Sequence, residues 1–428
     1  MKRGVFVCVV VLATALACLT GCAASSQSSS GEADAQSSSS AADAQSSEAA
    51  SQASENSSSA AADESASSSS SAESSQHSAE PSQASESGSP AAVESAPFPS
   101  WNADADSLAK LVAYVEAATE EGGAGYVPPE DRIAVFDMDG TFLCEKAPVY
   151  ADYMLLLHRV QDDPDFTPTN EMRELCDEIR ASADEGIPLN DADRAYKKND
   201  ALAESFAGMT FDEFHAYVAN FMATENVEGF SGMTYGESFF LPMLEVINYL
   251  KANDFDVFVV TASEREVVRA VVEPLGIDAS HVIGSDWAYT ATNQGDEEGG
   301  DYTYEKADDL LIAGYYLGET GKTNKVIAIQ REIGKHPVLA FGNSSGDFAM
   351  LNYALDNSEY PAEAFLVVAD DTQREYGNDE KAASMRDEAA NAGWTTISMR
   401  DDWSTIYGEG VEKTQLVADE KAELAQAA

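Results

Sequence analysis

Basic residues are scarce in this sequence: 25 lysines and arginines stand against 75 aspartates and glutamates over 428 residues, and none lies between Arg3 and Lys110. That deficit argues against nucleic acid as a partner, because holding a phosphate backbone depends on cationic side chains displacing counterions. Cysteine is rare too, with five in all. Cys8, Cys18 and Cys22 fall near the amino terminus, which leaves Cys144 and Cys176. Two isolated cysteines make no disulfide framework and are expected to be free thiols, with pairing as the alternative. The five histidines are scattered, without the spacing of a zinc site. Long apolar runs are missing apart from Val5 to Leu19, about 15 residues against the roughly 20 that a membrane-spanning helix needs.

What is present near the amino terminus comes in blocks. A basic start at Met1 to Arg3, the apolar run and the small residues of Leu19-Thr20-Gly21-Cys22 together read as an export signal over residues 1–22. Residues 23–100 are almost entirely Ser, Ala, Gln, Glu and Asp and cannot bury a core, so a disordered tether is expected, with an end-to-end distance of about 50 Å. Leu-Thr-Gly-Cys resembles the lipobox of bacterial lipoproteins, which implies cleavage before Cys22 and lipid on that residue. An ordinary signal peptide is the alternative. Several acyl chains would hold a membrane firmly, since each buried methylene adds ~0.8 kcal/mol. The implied location is extracytoplasmic, anchored to a bacterial membrane through Cys22.

From about Trp101 the sequence changes character. Leu108, Leu111, Val112 and Val115 have helical spacing over Ser107 to Thr119, and Arg132 to Phe136 reads as a short buried strand. Residues 145–240 carry helical stretches at Val149 to Val160, Asn170 to Ala183 and Phe211 to Phe221, with no convincing buried strand. An alternation then follows: helix Leu244 to Leu250, strand Val257 to Val260, helix Glu264 to Leu275, and a strand at Val282 and Ile283. Trp287 to Thr303 suggests a hairpin or flap. Lys325 to Ile333 is helical, Pro337 to Phe341 a strand, Phe348 to Leu355 a helix and Phe365 to Ala369 a strand. Asp379 to Ala392 and Thr395 to Met399 add a last helix and strand. Such alternation predicts an α/β fold with a parallel sheet covered by helices. The expected organisation is a core of residues 101–144 and 241–412, a helical cap of 145–240, and a loosely held acidic tail of 413–428.

In open parallel sheets ligands gather at the carboxyl ends of the strands, and here each main strand ends in a chemically equipped segment. Asp137-Met138-Asp139-Gly140-Thr141 places two carboxylates on one tight loop, with a glycine that lets the backbone approach a phosphate. Thr261 ends the second strand with a hydroxyl. Lys325 begins a helix, although Lys322 competes for the same role. Gly342-Asn343-Ser344-Ser345-Gly346-Asp347 supplies further oxygen ligands after a later strand.

These four segments, in this order, resemble the motifs of the haloacid dehalogenase superfamily, over roughly Arg132 to Trp403. The resemblance implies a Rossmann-like core with a helical cap inserted after the first motif, similar to phosphoserine phosphatase and phosphorylcholine phosphatase. It further implies a phosphomonoester hydrolase acting on a small phosphorylated metabolite. Asp137 would attack phosphorus and Asp139 would serve as acid and then base. Thr261, Lys325 and Gly140 would hold the phosphoryl oxygens. Mg2+ would be held by Asp137, the Asp139 carbonyl and a side chain of the fourth motif. There Asn343 stands where many relatives have an aspartate, which makes Asp347 the first choice of ligand and leaves Asn343 open. An acid at Asp139 argues against dehalogenation, because halide needs no proton.

The alternative is a surface lipoprotein that keeps the fold for binding and has lost turnover, a reading favoured only by Asn343. Glu145, just past the first motif, could meet a cationic leaving group or cap the next helix. Arg265 and Arg269 could assist with phosphate, but ion pairing or solvent exposure is the simpler expectation. The physiological substrate and the oligomeric state are not legible.

Overall fold

The computed structural model describes residues 97–185 and 192–417; the expected signal, lipobox and nearly all of the tether, together with residues 418–428, lie outside the described residues. The elements in chain order are α1 (Asp106–Thr119), β1 (Ile133–Phe136), α2 (Ala151–Leu157), α3 (Asn170–Glu185), α4 (Ala192–Ser205), α5 (Phe211–Thr224), β2 (Phe230–Ser231) and α6 (Leu241–Ala252). They continue with β3 (Asp256–Glu264), α7 (Arg265–Val272), β4 (Val282–Ala291), β5 (Leu310–Gly318), α8 (Thr323–Glu332), β6 (Leu339–Gly342), α9 (Phe348–Leu355), β7 (Glu363–Val368), α10 (Asp379–Ala392), β8 (Thr395–Ser398) and β9 (Glu412–Lys413).

Seven strands form one sheet in the order β5-β4-β3-β1-β6-β7-β8, parallel throughout except for the antiparallel edge pair of β4 with β5. The expected α/β class with a parallel sheet and flanking helices is therefore what the chain adopts. β1 is buried at all four residues because both faces of the sheet are covered. Ala134 and Phe136 join the larger apolar cluster on one face, whereas Ile133 and Val135 join Ala328, Ile329, Met350 and Leu351 on the other. On the first face, Phe136, Phe341 and Phe365 stack across β1, β6 and β7 at centroid separations of 4.2 and 5.1 Å. Stacked rings on neighbouring strands tie the first and fourth motifs into one register.

Residues between β1 and β3 form helices α2 to α6, with β2 as a two-residue strand outside the main sheet. α5 starts where the Thr210 hydroxyl oxygen accepts from the Glu213 amide while the Glu213 carboxylate accepts from the Thr210 amide, which satisfies two donors of the first turn. α4 falls within the expected helical cap, in a stretch not singled out from the sequence.

The hairpin expected at Trp287 to Thr303 is present and longer than expected: β4 runs to Ala291 and pairs antiparallel with the next strand, β5, which begins beyond that stretch at Leu310. One expectation is corrected. The tail after Glu412 is not loose at its start, because β9 pairs with β2, the Thr414 amide donates to Gly229, and the Tyr376 hydroxyl donates to the Thr414 carbonyl. Cys144 and Cys176 are buried free thiols. No helix among the described residues is long and apolar enough to cross a membrane.

Candidate active site

β3, β1 and β6 are neighbours, so their carboxyl ends bring Thr261, Asp137 and Gly342 to one edge of the sheet, at the point where the chain order switches from one side of β1 to the other. A cavity of about 250 Å³ opens there, lined by Asp137, Asp139, Thr261, Lys325, Asn343 and Asp347 among others. The pairing of β3 with β4 shifts register between Val260 and Glu264, an irregularity that re-aims the residues just past Thr261.

Lys325 is 2 % exposed and its ammonium donates to Asp137 Oδ1 at 2.6 Å, Asp347 Oδ1 at 2.7 Å and the Val260 carbonyl at 2.7 Å. Lys322 also lines the cavity but is exposed, with a φ of 53° at the helix start, and makes no such contacts with Asp137 and Asp347 among the described residues. Burial works against the Lys325 charge, yet Asp137 and Asp347 together hold its pKa above the ordinary lysine value. Burial also raises the Asp137 carboxyl and the charge of Asp347 adds to that, against the pull of Lys325 and a 3.1 Å hydrogen bond from the Thr141 hydroxyl.

Asp139 accepts a 2.6 Å hydrogen bond from the Ser263 hydroxyl. Burial, followed by the charge of Asp152, pushes its pKa up to about 8, with further contributions from Asp137 and Glu145 and opposition from Ser263. A carboxyl in that range carries a proton near neutrality and can donate it. Ser263 was not picked out in the sequence. Its signal was there, two residues beyond Thr261, and the Thr261 hydroxyl accepts from the Ser263 amide at 3.0 Å.

Three expected roles meet a different arrangement. The Gly140 amide is taken by the Leu143 carbonyl at 2.7 Å and so has no proton left for a phosphate. The glycine provides space instead: at φ 81° a Cβ would lie 1.8 Å from Asn343 Nδ2. Asp347 is engaged on both oxygens, Oδ1 by Lys325 and Oδ2 by the amides of Asn343 and Ser344 at 3.0 Å each and by the Ser344 hydroxyl. Arg265 and Arg269, by contrast, are ion-paired outside the cavity lining as expected: Arg265 with Asp286 and Glu332, and Arg269 with Glu266. Glu145 lines the cavity and caps no helix, since α2 begins six residues later.

The residues present fit a hard divalent cation. Asn343 is 8 % exposed, and its side-chain amide has no hydrogen bond among the described residues. Asp137 and Asp347 share one buried lysine between two carboxylates. No group of three or more His, Cys, Asp or Glu side chains among the described residues forms a metal cage. Magnesium needs none, because it keeps several waters and takes one or two carboxylates with neutral oxygens.

Other lining residues, including Tyr150, Asp152, Tyr153, Lys198 and Glu319, could not be read from the sequence. They come from α2, its approach, α4 and the turn after β5, and only the folded chain brings them to the motif loops.

A search of curated protein sequences finds no match. Among solved structures, a protein of unknown function from Bordetella pertussis Tohama I is 18 % identical, covering 62 % of this chain and 97 % of its own, with a TM-score of 0.39. A phosphoserine phosphohydrolase-like protein from Francisella tularensis subsp. tularensis SCHU S4 is 12 % identical over 63 % of this chain and 95 % of its own, with a TM-score of 0.33. Cytosolic 5'-nucleotidase IIIB bound to cytidine is 12 % identical over 69 % and 88 %, with a TM-score of 0.39. The family of haloacid dehalogenase-like hydrolases matches residues 134–352, just over half of the sequence and the whole span from the first motif through the fourth, and the chain belongs to that family.

Proposed function

We propose that this protein is a magnesium-dependent phosphomonoester hydrolase that works through an aspartyl-phosphate intermediate on a small phosphorylated metabolite. The observation that carries this reading is the buried Asp137–Lys325–Asp347 arrangement at the floor of a cavity whose wall holds Asp139 on the same loop. A structural turn has no use for a lysine buried between two carboxylates at the ends of three adjacent strands.

Lys325 and Thr141 orient the Asp137 carboxylate, one oxygen of which attacks phosphorus. The P–O bond to the leaving alcohol breaks, and Asp139 gives its proton to the departing oxygen. Water then attacks the phosphorus of the aspartyl phosphate, Asp139 takes the proton from that water, and release of inorganic phosphate restores both carboxyl groups. Ser263 holds Asp139 in place throughout and the Thr261 hydroxyl faces the phosphoryl oxygens, whereas Lys325, whose three protons go to Asp137, Asp347 and the Val260 carbonyl, acts on the phosphoryl group through its charge and by fixing Asp137. Magnesium, held by Asp137, the Asp139 carbonyl and the Asn343 amide, would offset the repulsion between an anionic nucleophile and an anionic phosphate. Asp347 then acts by fixing Lys325 and the Asn343 backbone.

The lipoprotein-like amino terminus extends the proposal to location: lipid on Cys22 would display the enzyme outside the cytoplasm. The test is phosphate release from a panel of small phosphomonoesters, with magnesium and after chelation. Turnover that stops on chelation and returns with magnesium supports the reading. Folded protein that releases no phosphate from any of them, with magnesium present, overturns it.

A further inference from the structure

The cations of the cavity are few, and most are already engaged. Among the described residues its lining holds Lys198, Lys322 and Lys325, with no arginine or histidine, against the carboxyl groups of Asp137, Asp139, Glu145, Asp152, Glu319 and Asp347. Lys325 gives its three protons to Asp137, Asp347 and the Val260 carbonyl. Lys198 is buried and ion-paired with Asp152, and its ammonium lies 4.5 Å from the centroid of the Tyr153 ring. A phosphomonoester that arrives with two negative charges therefore meets a largely acidic wall on which two of the three ammonium groups are held by carboxylates.

Lys322 is the third. It is exposed at the rim of the cavity, and its ammonium makes no hydrogen bond or ion pair among the described residues. Glu319, an exposed carboxylate on the same stretch of rim, is not joined to it by an ion pair. The backbone of Lys322 is firmly placed, in contrast to its side chain. Its amide donates to the Gly346 carbonyl at 3.0 Å, and its carbonyl accepts from the Lys325 amide at 3.1 Å. The residue thus stands where the third and fourth motif segments meet, on a flexible four-carbon stem that lets the ammonium follow an anion into the cavity.

The backbone conformation is an independent observation. Lys322 has φ 53° and ψ −125°, and Asp254 is the other non-glycine residue with positive φ among the described residues. Such a conformation is strained for a residue with a Cβ, whereas glycine adopts it freely. A turn that needed only this backbone would be served better by glycine, so what lysine adds at this position is its side chain.

Resting on the phosphatase reading, we infer that Lys322 is a specificity-determining residue that receives the anionic substrate at the rim of the cavity, and that it contributes to binding and not to the chemical step. A unit charge acting on a dianion across about 6 Å of water favours binding by roughly tenfold at low salt. An interaction equally strong in the ground and transition states appears in KM and leaves kcat alone. The experiment measures both constants in Lys322→Met, Lys322→Gly and Lys322→Arg, with magnesium, for a phosphomonoester that the native protein turns over, at ~0.01 M and ~1 M salt, and with inorganic phosphate as inhibitor. In Lys322→Met at low salt, KM and the inhibition constant of phosphate should rise about tenfold while kcat stays within about twofold. At high salt the difference from the native protein should vanish, because an exposed charge is screened. Lys322→Arg should keep the native KM. Lys322→Gly should show the same rise in KM with a urea midpoint at or above the native one, which separates the charge from the turn. Native KM in Lys322→Met or Lys322→Gly at low salt overturns the inference and leaves the phosphatase reading standing. So does a fall in kcat with KM unchanged, or a rise in KM that persists at high salt. Absence of turnover of the wider panel by the folded native protein removes both.

Discussion

Replacing Lys325 by methionine keeps much of the side-chain volume and removes one charge from a site where three oxygens depend on it. The ammonium donates at 2.6–2.7 Å to Asp137, Asp347 and the Val260 carbonyl, and both it and Asp347 are 2 % exposed or less. Removing one partner of a buried charged pair costs roughly 3–5 kcal/mol, because the remaining charge has neither water nor a counterion. Lys325→Met should therefore unfold at lower urea than the native protein when assayed without divalent cation at about pH 8, by an amount in that range. The loss should depend on pH in a definite direction. Asp137 is already raised by burial, with Lys325 opposing, so in the variant it rises further. A carboxyl raised in the folded state destabilises fully above its folded pKa, and that penalty declines as pH falls through the folded pKa and disappears below the ordinary carboxyl value, so the difference between variant and native protein should shrink on acidification. Magnesium should recover part of the stability by binding the folded state. A variant that unfolds with the native midpoint at about pH 8, with no response to acid or magnesium, would refute the assignment of Lys325 as the charge that holds this site together.

Two further substitutions test separate parts of the account. Glu375 is buried beneath the Tyr407 hydroxyl and the Tyr376 amide, and burial pushes its pKa up to about 7. Since the folded value lies above the ordinary one, its contribution to stability is fully present below about pH 4.5 and is lost as pH rises through about 7, a change of about 3 kcal/mol at 1.36 kcal/mol per unit. Glu375→Gln should flatten urea-unfolding stability across that window, and an unchanged slope would contradict the burial argument. Gly140→Ala forces a side chain into a φ of 81° and a Cβ to within 1.8 Å of Asn343 Nδ2. The backbone strain costs about 1–2 kcal/mol. Displacement of Asn343 should lower kcat/KM by tenfold or more, measured as phosphate release, whereas native kinetics would show that the Asn343 position is not needed.

Legibility in the sequence followed the range of the interactions. Strands β1, β6 and β7 and helices α1, α9 and α10 were readable because both faces of the parallel sheet are buried and the helices alternate with the strands in sequence. The motif residues Asp137, Asp139, Thr261 and Lys325 were readable because each is a polar residue beside an apolar strand or helix run, although β3 continues three residues past Thr261, and the structure brings them to one cavity. β5 was missed: as an edge strand its apolar residues, such as Tyr315 and Leu317, are exposed, and the alternation is blurred. The hydrogen-bond assignments of Gly140 and Asp347 were not readable either, because they depend on partners such as Leu143 and Ser344 whose orientation is set by loop closure. Asp152, Lys198 and Glu319 come from segments far apart in sequence, and no local pattern marks them as neighbours.

The central claim is that Asp137 becomes covalently phosphorylated. Acid quenching of the magnesium-loaded protein during turnover of a labelled small phosphomonoester, followed by mapping of the labelled peptide, tests it directly. The account predicts a hydroxylamine-sensitive acyl phosphate on Asp137, and neither label nor turnover in folded Asp137→Asn. Steady phosphate release by that variant, or label on a residue other than Asp137, would contradict it.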